Sequence, residues 1–458
     1  MKSILIAAPV SGSGKTTVTI GLMECLRRRG LKVAPFKVGP DFIDPGYHRL
    51  VTGRPSINLD SWICSPGSVE ELFSEAAGGA DIAVIEGVMG LFDGFGGRSE
   101  EGSSAQIAKL TGSTVFLVID AKGYARSIAA VVKGFVEFDP ELRIGGVIFN
   151  NVSGESHARI LREAVESTLP GLRVLGCIQR DKGIGLPSRH LGLVTAGEQP
   201  LSEDYLDRLE ELIRSSIDLG ALWAAAGSGK LLDLPPAPVP VGKRVRLAIA
   251  RDEAFCFVYE SNLRLLAEAG AELVEFSPLK DGALPEGISG IYLPGGYPEL
   301  HAGPLAANRG MIESVAAAVE AGMPVYAECG GFIYLTRGVI GGSGGGDELQ
   351  PFVGIFPVTT RLLERRKALG YREVKLQKES ILGPAGSVAR GHEFHYSEME
   401  AMPEEIGMLY QVSRGQSDLG REGYLYRNCL ASYIHLHFGS NPQMAAALVG
   451  ACEKFKNS

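Results

Sequence analysis

Short apolar runs alternate along this chain with longer stretches in which apolar positions recur at helical spacing. Residues 4–8 are apolar and predict a buried strand. A small-residue loop, 9–14, follows, and Val18, Leu22 and Leu26 then mark one face of a helix. Strand-like runs recur at 32–36, 81–86, 114–120, 146–150 and 173–178. Parallel strands with crossover helices are the simplest arrangement of that alternation. Residues 201–225 predict helix. Residues 226–242, rich in Gly and Pro and ending Leu-Pro-Pro-Ala-Pro-Val-Pro, predict a semi-extended linker. A second alternation starts at Arg244, with strands at 245–250, 273–276, 290–293 and 324–327 and a helix at 260–269. A glycine-rich loop, expected to be mobile, lies at 341–347, and no internal repeat is apparent. The expectation is two α/β domains, 1–225 and 243–458, joined by the linker 226–242.

Composition narrows this picture. A chain of 458 residues suits two or three domains. With 45% hydrophobic and 21% charged residues it has the make-up of a soluble globular protein, and its 60 glycines suit many tight strand–helix turns. A net charge of −8 gives no electrostatic footprint for nucleic acid. No apolar run approaches the ~18 residues of a spanning helix. The N-terminal apolar run is interrupted by polar residues and Lys15 before a signal-peptide core can form, so a cytoplasmic location without membrane partners is expected. The cysteines, seven in number and without a CxxC pair, argue against a disulfide framework or a structural zinc site.

The first stretch carries candidate chemistry. Strand, glycine loop, Gly14-Lys15-Thr16-Thr17 and helix form the context of a phosphate-binding loop. Backbone N–H groups of Gly12, Ser13 and Gly14 and the helix N-terminus would face phosphate oxygens. Lys15 would reach the β- and γ-phosphates, and the Thr16 hydroxyl would hold Mg²⁺. Pro9 stands where the pattern GxxxxGK[ST] has its first glycine. Gly227-Ser228-Gly229-Lys230 looks similar, but no apolar strand precedes it and Leu231 follows, so it reads as linker. After the second strand, Asp41 and Asp44 either serve Mg²⁺ or a substrate, or belong to an Asp- and Pro-rich turn. The strand at 81–86 ends in Glu86, where phosphate-loop proteins place a second Mg²⁺ element. Asp93 sits in the glycine loop beyond it, either closing over substrate or merely solvated. Asn150 and Asn151 read as a strand-end cap, with an adenine contact as the alternative.

In the second half, Val325-Tyr326-Ala327-Glu328-Cys329-Gly330-Gly331 reads as strand, sharp turn and helix with a cysteine at the turn. That is the logic of a nucleophile elbow. Such a cysteine would be exposed, and the helix N-terminus would favour its thiolate; the alternative is a buried, inert thiol. Gly295 and Gly296 follow another strand and could aim backbone N–H groups at an oxyanion. His435 and His437, two apart in a strand, would face the same side, one activating Cys329 and the other supporting it. A metal reading of that pair lacks a third ligand. His392-Glu393-Phe394-His395 has its histidines three apart rather than four, and reads as structural or substrate-contacting.

Taken together, PVSGSGKTT, FKVGPDFIDPGYH, EGVMGLFDG, LPGGYPE, ECGGFIYL, GHEFHYSE and ASYIHLHF resemble the cobyrinic acid a,c-diamide synthase family, in family order and over nearly the whole chain. The resemblance implies a dethiobiotin-synthetase-like P-loop domain of parallel sheet, followed by a class I glutamine amidotransferase-like α/β domain. It implies that ATP and Mg²⁺ activate a tetrapyrrole carboxylate as an acyl phosphate, which ammonia displaces. Cys329 and His435 would generate that ammonia from glutamine. Lys15 and Thr16 match the phosphate and metal positions, Asp41, Glu86 and Asp93 the catalytic acids, with Thr16, Asp41 and Glu86 around Mg²⁺. Phe42 and Ile43 match the segment that contacts the macrocycle, where the family carries Tyr as often as Phe. Triad amidotransferases commonly have His-x-Glu, whereas this chain has His435-x-His437, which leaves the third triad position open. Nickel-sirohydrochlorin or hydrogenobyrinic acid as substrate would produce much the same motifs. A P-loop switch ATPase with a degenerate amidotransferase domain is the reading from another class. A homodimer is compatible with all of these.

Overall fold

The computed structural model describes residues 1–185, 188–189, 192–193, 195, 197–234, 242, 244–342, 346 and 348–458. They form two compact units, Met1–Ser188 with Leu193–Pro235, and Arg189–Gly192 with Pro236–Ser458. Most of the expected linker's second half and most of the 341–347 loop lie outside the described residues.

In the first unit, β1 (Lys2–Ala7), α1 (Lys15–Arg28), β2 (Val33–Val38), α2 (Ile43–Thr52), β3 (Ile57–Leu59), α3 (Pro66–Ala77), β4 (Ile82–Glu86), α4 (Ser104–Thr111), β5 (Thr114–Asp120), α5 (Ile128–Phe138), β6 (Ile144–Val152), α6 (Glu155–Thr168) and β7 (Val174–Gln179) alternate as expected. The strands pair in parallel in the order β3-β2-β4-β1-β5-β6-β7. Ile4, Ile6, Val84, Phe116 and Val118 are fully buried in the central strands. Each such side chain contributes roughly 1.5–3 kcal/mol of burial. Strand order brings β2, β4 and β1 side by side, with Ile6 and Lys37 both in register with Glu86. The carboxyl ends of these three strands, where open α/β sheets collect ligands, are therefore neighbours.

One expectation fails here. Gly227 and Ser228 are not free linker but pair antiparallel with Ser3 and Lys2. The cause is the register of β1: β5 joins it only from Ile4 onward, which leaves the backbone groups of Lys2 and Ser3 without a strand on that side. Lys230 continues the attachment, its N–H donating to Thr111 O at 2.8 Å.

The second unit holds a sheet whose first five strands, Ala271–Phe276, Val245–Ala250, Gly290–Leu293, Val325–Glu328 and Cys429–Ser432, are parallel neighbours in that order. The sheet then continues antiparallel through Ser417–Tyr426, Gly407–Arg414, Ala368–Leu376, Val388–His395 and Ile434–Leu436. Apolar clusters line its faces, with Leu293, Ala327 and Phe332 in one and Tyr292, Tyr326 and Leu436 in another.

Candidate active sites

The loop from β1 to α1 is shaped by backbone conformation. Gly12 and Gly14 hold φ of 82° and 92°. At Gly14 a side chain would be strained by that angle and would also meet the Asn150 amide, 2.2 Å from an ideal Cβ. Asn150 Nδ2 instead donates to Ser13 O at 3.0 Å, so Asn150 at the end of β6 fastens the loop. Ser13 Oγ donates to Val10 O at 2.9 Å. Lys15 opens α1, with Thr16 and Thr17 behind it, and its ammonium donates to Met89 O at 2.6 Å across the loop that follows β4. Burial, with the positive charge of Lys37 added, lowers its pKa to about 8.

Beneath the loop lies a buried charge cluster. Lys37 at the end of β2 pairs with Asp44 and with Glu86 Oε1 at 3.0 Å, and stands 3.6 Å from Asp41. Thr16 Oγ1 donates to Glu86 Oε1 at 2.6 Å and lies 3.4 Å from Asp44 Oδ2. His48 Nε2 donates to Glu86 Oε2 at 2.7 Å, while Ser56 Oγ faces Nδ1 at 3.0 Å. Burial alone would raise Glu86, but Lys37 and the bonds from His48 and Thr16 outweigh it and hold the carboxyl below the usual range. Lys37 is opposed by burial and raised overall by Asp44, Glu86 and Asp41. Three carboxylates share this one ammonium, and Asp44, buried and repelled by Asp41 and Glu86, is the one pushed up.

The sequence reading put Asp41 beside Thr16 and Glu86; Asp44 is the carboxylate that stands at Thr16. Asp41 Oδ1 caps α2, accepting from the N–H groups of Ile43 and Asp44 at 2.8 and 3.2 Å. Phe42 and Ile43 form the half-buried start of α2. Asp93 is exposed and closes its own turn, accepting from Gly90 N–H at 2.8 Å. Among the described residues no three His, Cys, Asp or Glu side chains converge on one ion position. Mg²⁺ needs no such cage, since one or two carboxylates plus substrate phosphates serve it. The buried Asp44 Oδ1, which has no hydrogen-bond partner, and the Thr16 hydroxyl are oxygen donors of the right kind. Lys37 and His48 were not picked out from the sequence as members of this cluster. A lysine inside the apolar run Val-Ala-Pro-Phe-Lys-Val was the available signal, because a buried charge must be paired.

In the second unit three neighbouring parallel strands deliver the elements of another site. Cys329 follows Val325–Glu328 and holds φ 45°, ψ −102°, the strained turn of a nucleophile elbow. Its N–H donates to Ser432 O at 2.7 Å. Gly295 and Gly296 follow the adjacent strand, and an added Cβ at Gly295 would lie 2.2 Å from His435 Cε1. The imidazole thus rests on bare backbone at a position where only glycine fits. His435 itself sits in Ile434–Leu436, in register with His392, whose ring stacks on it at 4.9 Å and 12°.

Two expectations about these side chains change. Cys329 is buried, not exposed, and its thiol donates to Phe394 O at 3.6 Å. Burial, with Glu299 adding negative charge, raises its pKa, and this outweighs the pull of the Gly330 N–H. His437 does not share a strand face with His435, because the strand ends at Leu436. Its Nδ1 accepts from Gly439 N–H at 3.0 Å, capping the next turn, and its ring packs on Tyr259 at 4.5 Å. Tyr259 in turn bonds His392, at 2.9 Å between OH and Nδ1. Burial, with His395 adding positive charge, lowers the His435 pKa to about 3, so the ring is neutral and available as a base. His395 stacks on Tyr433 at 4.0 Å and meets Glu393 at 2.9 Å, beside a cavity of about 440 Å³ lined by Arg372, Glu393 and Tyr433 among others.

Fold and sites together define a nucleotide-binding P-loop domain joined to a glutamine amidotransferase domain. Residues 4–194 match the CobQ/CobB/MinD/ParA nucleotide binding domain, and residues 246–443 the CobB/CobQ-like glutamine amidotransferase domain. The cobyrinate a,c-diamide synthase of Syntrophotalea carbinolica is 44% identical over 457 residues, covering 98% of each chain. The hydrogenobyrinate a,c-diamide synthase of Streptomyces coelicolor is 43% identical over 98% of this chain and 97% of its own. A cobyrinate a,c-diamide synthase of Methanosarcina acetivorans is 42% identical over 99% and 96%. This chain belongs to the cobyrinate a,c-diamide synthase family of glutamine-dependent ligases. No helix among the described residues is long and apolar enough to cross a membrane.

Proposed function

We propose that this chain uses ATP and glutamine to convert the a- and c-acetate side chains of cobyrinic acid to amides, by way of acyl phosphates. The observation that carries the reading is the pair of sites on one chain that is alike from end to end to diamide synthases. In the first site the loop 9–14 and Lys15 hold the phosphates. Thr16, Asp44 and Glu86 would hold Mg²⁺, which when bound offsets phosphate charge. Lys37 would supply the cation that a carboxylate substrate and a γ-phosphate, both anionic, need between them. Its charge is secured by the surrounding acids. Asp93, on the loop after β4, lies on the segment that Lys15 contacts and would close over substrate when that loop moves. In the second site the Cys329 thiol passes its proton to His435, and sulfur attacks the glutamine carboxamide. The imidazolium protonates the departing ammonia, and water releases glutamate from the thioester. Gly295 and Gly296 supply the oxyanion contacts.

The test is incubation with ATP, Mg²⁺ and glutamine against cobyrinic acid, hydrogenobyrinic acid and nickel-sirohydrochlorin, counting carboxylates converted to amides by mass spectrometry. Two amides on cobyrinic acid are expected. Turnover of the metal-free ring alone would instead favour the second reading, hydrogenobyrinate, which the Streptomyces relative's name supports. No amide on any ring would refute both.

A further inference from the structure

The sequence leaves the acid partner of His435 open, and His437 is committed to capping a turn and packing on Tyr259. Two acids stand near the imidazole, Glu393 part-buried and Glu328 fully buried. Glu393 has both oxygens engaged, Oε1 accepting from His395 Nε2 at 2.9 Å and Oε2 from Arg372 Nε at 2.7 Å. Glu328 also accepts hydrogen bonds on both oxygens, but its donors are neutral groups, whereas both of Glu393's are basic side chains. Glu328 Oε2 lies 4.0 Å from His435 Nδ1, and both side chains are 1% exposed. Three donors hold that carboxylate in place: Tyr292 OH to Oε2 at 2.8 Å, Tyr326 OH to Oε1 at 2.6 Å, and Leu436 N–H to Oε1 at 2.9 Å. The last donor is the residue directly after His435, so the carboxylate is tied to the backbone that carries the base. Glu328 is also the residue directly before the nucleophile.

We propose that Glu328 is the positioning acid of His435, completing with Cys329 a triad whose acid comes from the nucleophile's own strand. The inference rests on the reading of Cys329 and His435 as the glutamine-hydrolysing pair. A carboxylate at Nδ1 selects the tautomer protonated there and leaves Nε2 as the base for the thiol. It then stabilises the imidazolium formed when the proton arrives. A separation of 4.0 Å is a charge contact, and about 1 Å of ring movement makes it a hydrogen bond; such bonds often tighten only with substrate bound. The groups facing Glu328 are Tyr292, Tyr326 and His435, with Tyr410 nearby, none of them a fixed cation. Burial accordingly raises its pKa to about 7, against the pull of the two tyrosines and the Leu436 N–H. A carboxyl poised there responds to the arrival of a proton on its neighbour. The signal was present in the sequence as an acid ending the apolar run Val-Tyr-Ala-Glu.

The experiment is steady-state glutamine hydrolysis by the full chain carrying Glu328→Gln, Glu328→Asp, His435→Ala, and Glu328→Gln with His435→Ala. Gln keeps the size and the tyrosine contacts but not the charge. We expect kcat to fall by roughly 10²–10⁴-fold, the usual worth of a working acid–base pair, with the KM for glutamine within about twofold. Asp should restore part of the rate, and the double variant should be no slower than His435→Ala alone. In the wild-type chain, ¹⁵N-histidine NMR with His435→Ala as assignment control should show the His435 proton on Nδ1. That measurement needs no folded Glu328 variant. A Glu328→Gln kcat within threefold of wild type, additive losses in the double variant, or the proton on Nε2 would each overturn the triad. If Cys329→Ser is dead with glutamine while Glu328→Gln is active, only this inference falls; if both are active, the proposed function falls with it.

Discussion

Replacing Gly295 with alanine tests the geometry of the glutamine site through the least change a side chain allows. The added Cβ would sit 2.2 Å from His435 Cε1 and 3.1 Å from both ring nitrogens. Carbon atoms in contact stay about 3.5–4.0 Å apart, so the imidazole must retreat by ~1.3 Å or more. His392, stacked at 4.9 Å, and Glu328 at 4.0 Å restrict where it can go. A misplacement of about 1 Å in a catalytic group costs on the order of 10²-fold, or ~2.7 kcal/mol of barrier. The accompanying overpacking should lower stability by about 1–3 kcal/mol. Glutamate release from glutamine should therefore fall about a hundredfold, while amide formation driven by ammonium chloride continues, because ammonia supplied from solution bypasses glutamine hydrolysis. The reasoning is refuted if folded Gly295→Ala protein hydrolyses glutamine within threefold of wild type.

Lys15→Ala should abolish amidation from glutamine and from ammonium alike yet spare glutamine hydrolysis; amidation at the wild-type rate would remove the loop from the mechanism. Cys329→Ser should show the converse, losing glutamine-dependent amidation and keeping the ammonium-dependent reaction at high pH, and equal loss from both nitrogen sources would return Cys329 to a structural role. Lys37→Met leaves Asp44 and Glu86 buried without their cation, so a loss of ~3–5 kcal/mol in denaturant unfolding is expected, together with failed amidation; unchanged stability would contradict the buried cluster. Lys15 has a free-enzyme pKa of about 8, below the lysine norm, so raising pH through that value removes the charge that attracts phosphate. ATP affinity measured by calorimetry should fall above pH 8 and stay level in Lys15→Arg, whose guanidinium remains charged; a flat wild-type profile to pH 9.5 would be incompatible with that lysine contacting phosphate.

Much of this protein is readable in one dimension because its rules are local. The period of apolar residues located most of the parallel strands of both units to within a residue or two, though not Ile57–Leu59 or Cys429–Ser432, since parallel strands buried on both faces are nearly continuous apolar runs. The antiparallel strands of the second unit, such as Ala368–Leu376 and Ser417–Tyr426, escaped that reading because the first is mostly half-buried and the second is exposed over its first half, so neither shows a continuous apolar run. Lys15, Thr16, Cys329 and His435 were legible because each sits in a short pattern whose geometry the neighbouring residues dictate.

What only the tertiary structure decided are relations between residues distant along the chain. Strand order, not sequence proximity, puts Lys37 against Glu86 and Asp44 beside Thr16 in place of Asp41. The end of a strand at Leu436 turns His437 away and gives it to Gly439 and Tyr259. Burial beneath Phe394 makes Cys329 a protonated thiol where its helix position alone argued for thiolate. The physical reason is shared: a motif states which groups are present, whereas charge state and partnership depend on desolvation and on the one or two ångströms between side chains, which packing alone sets.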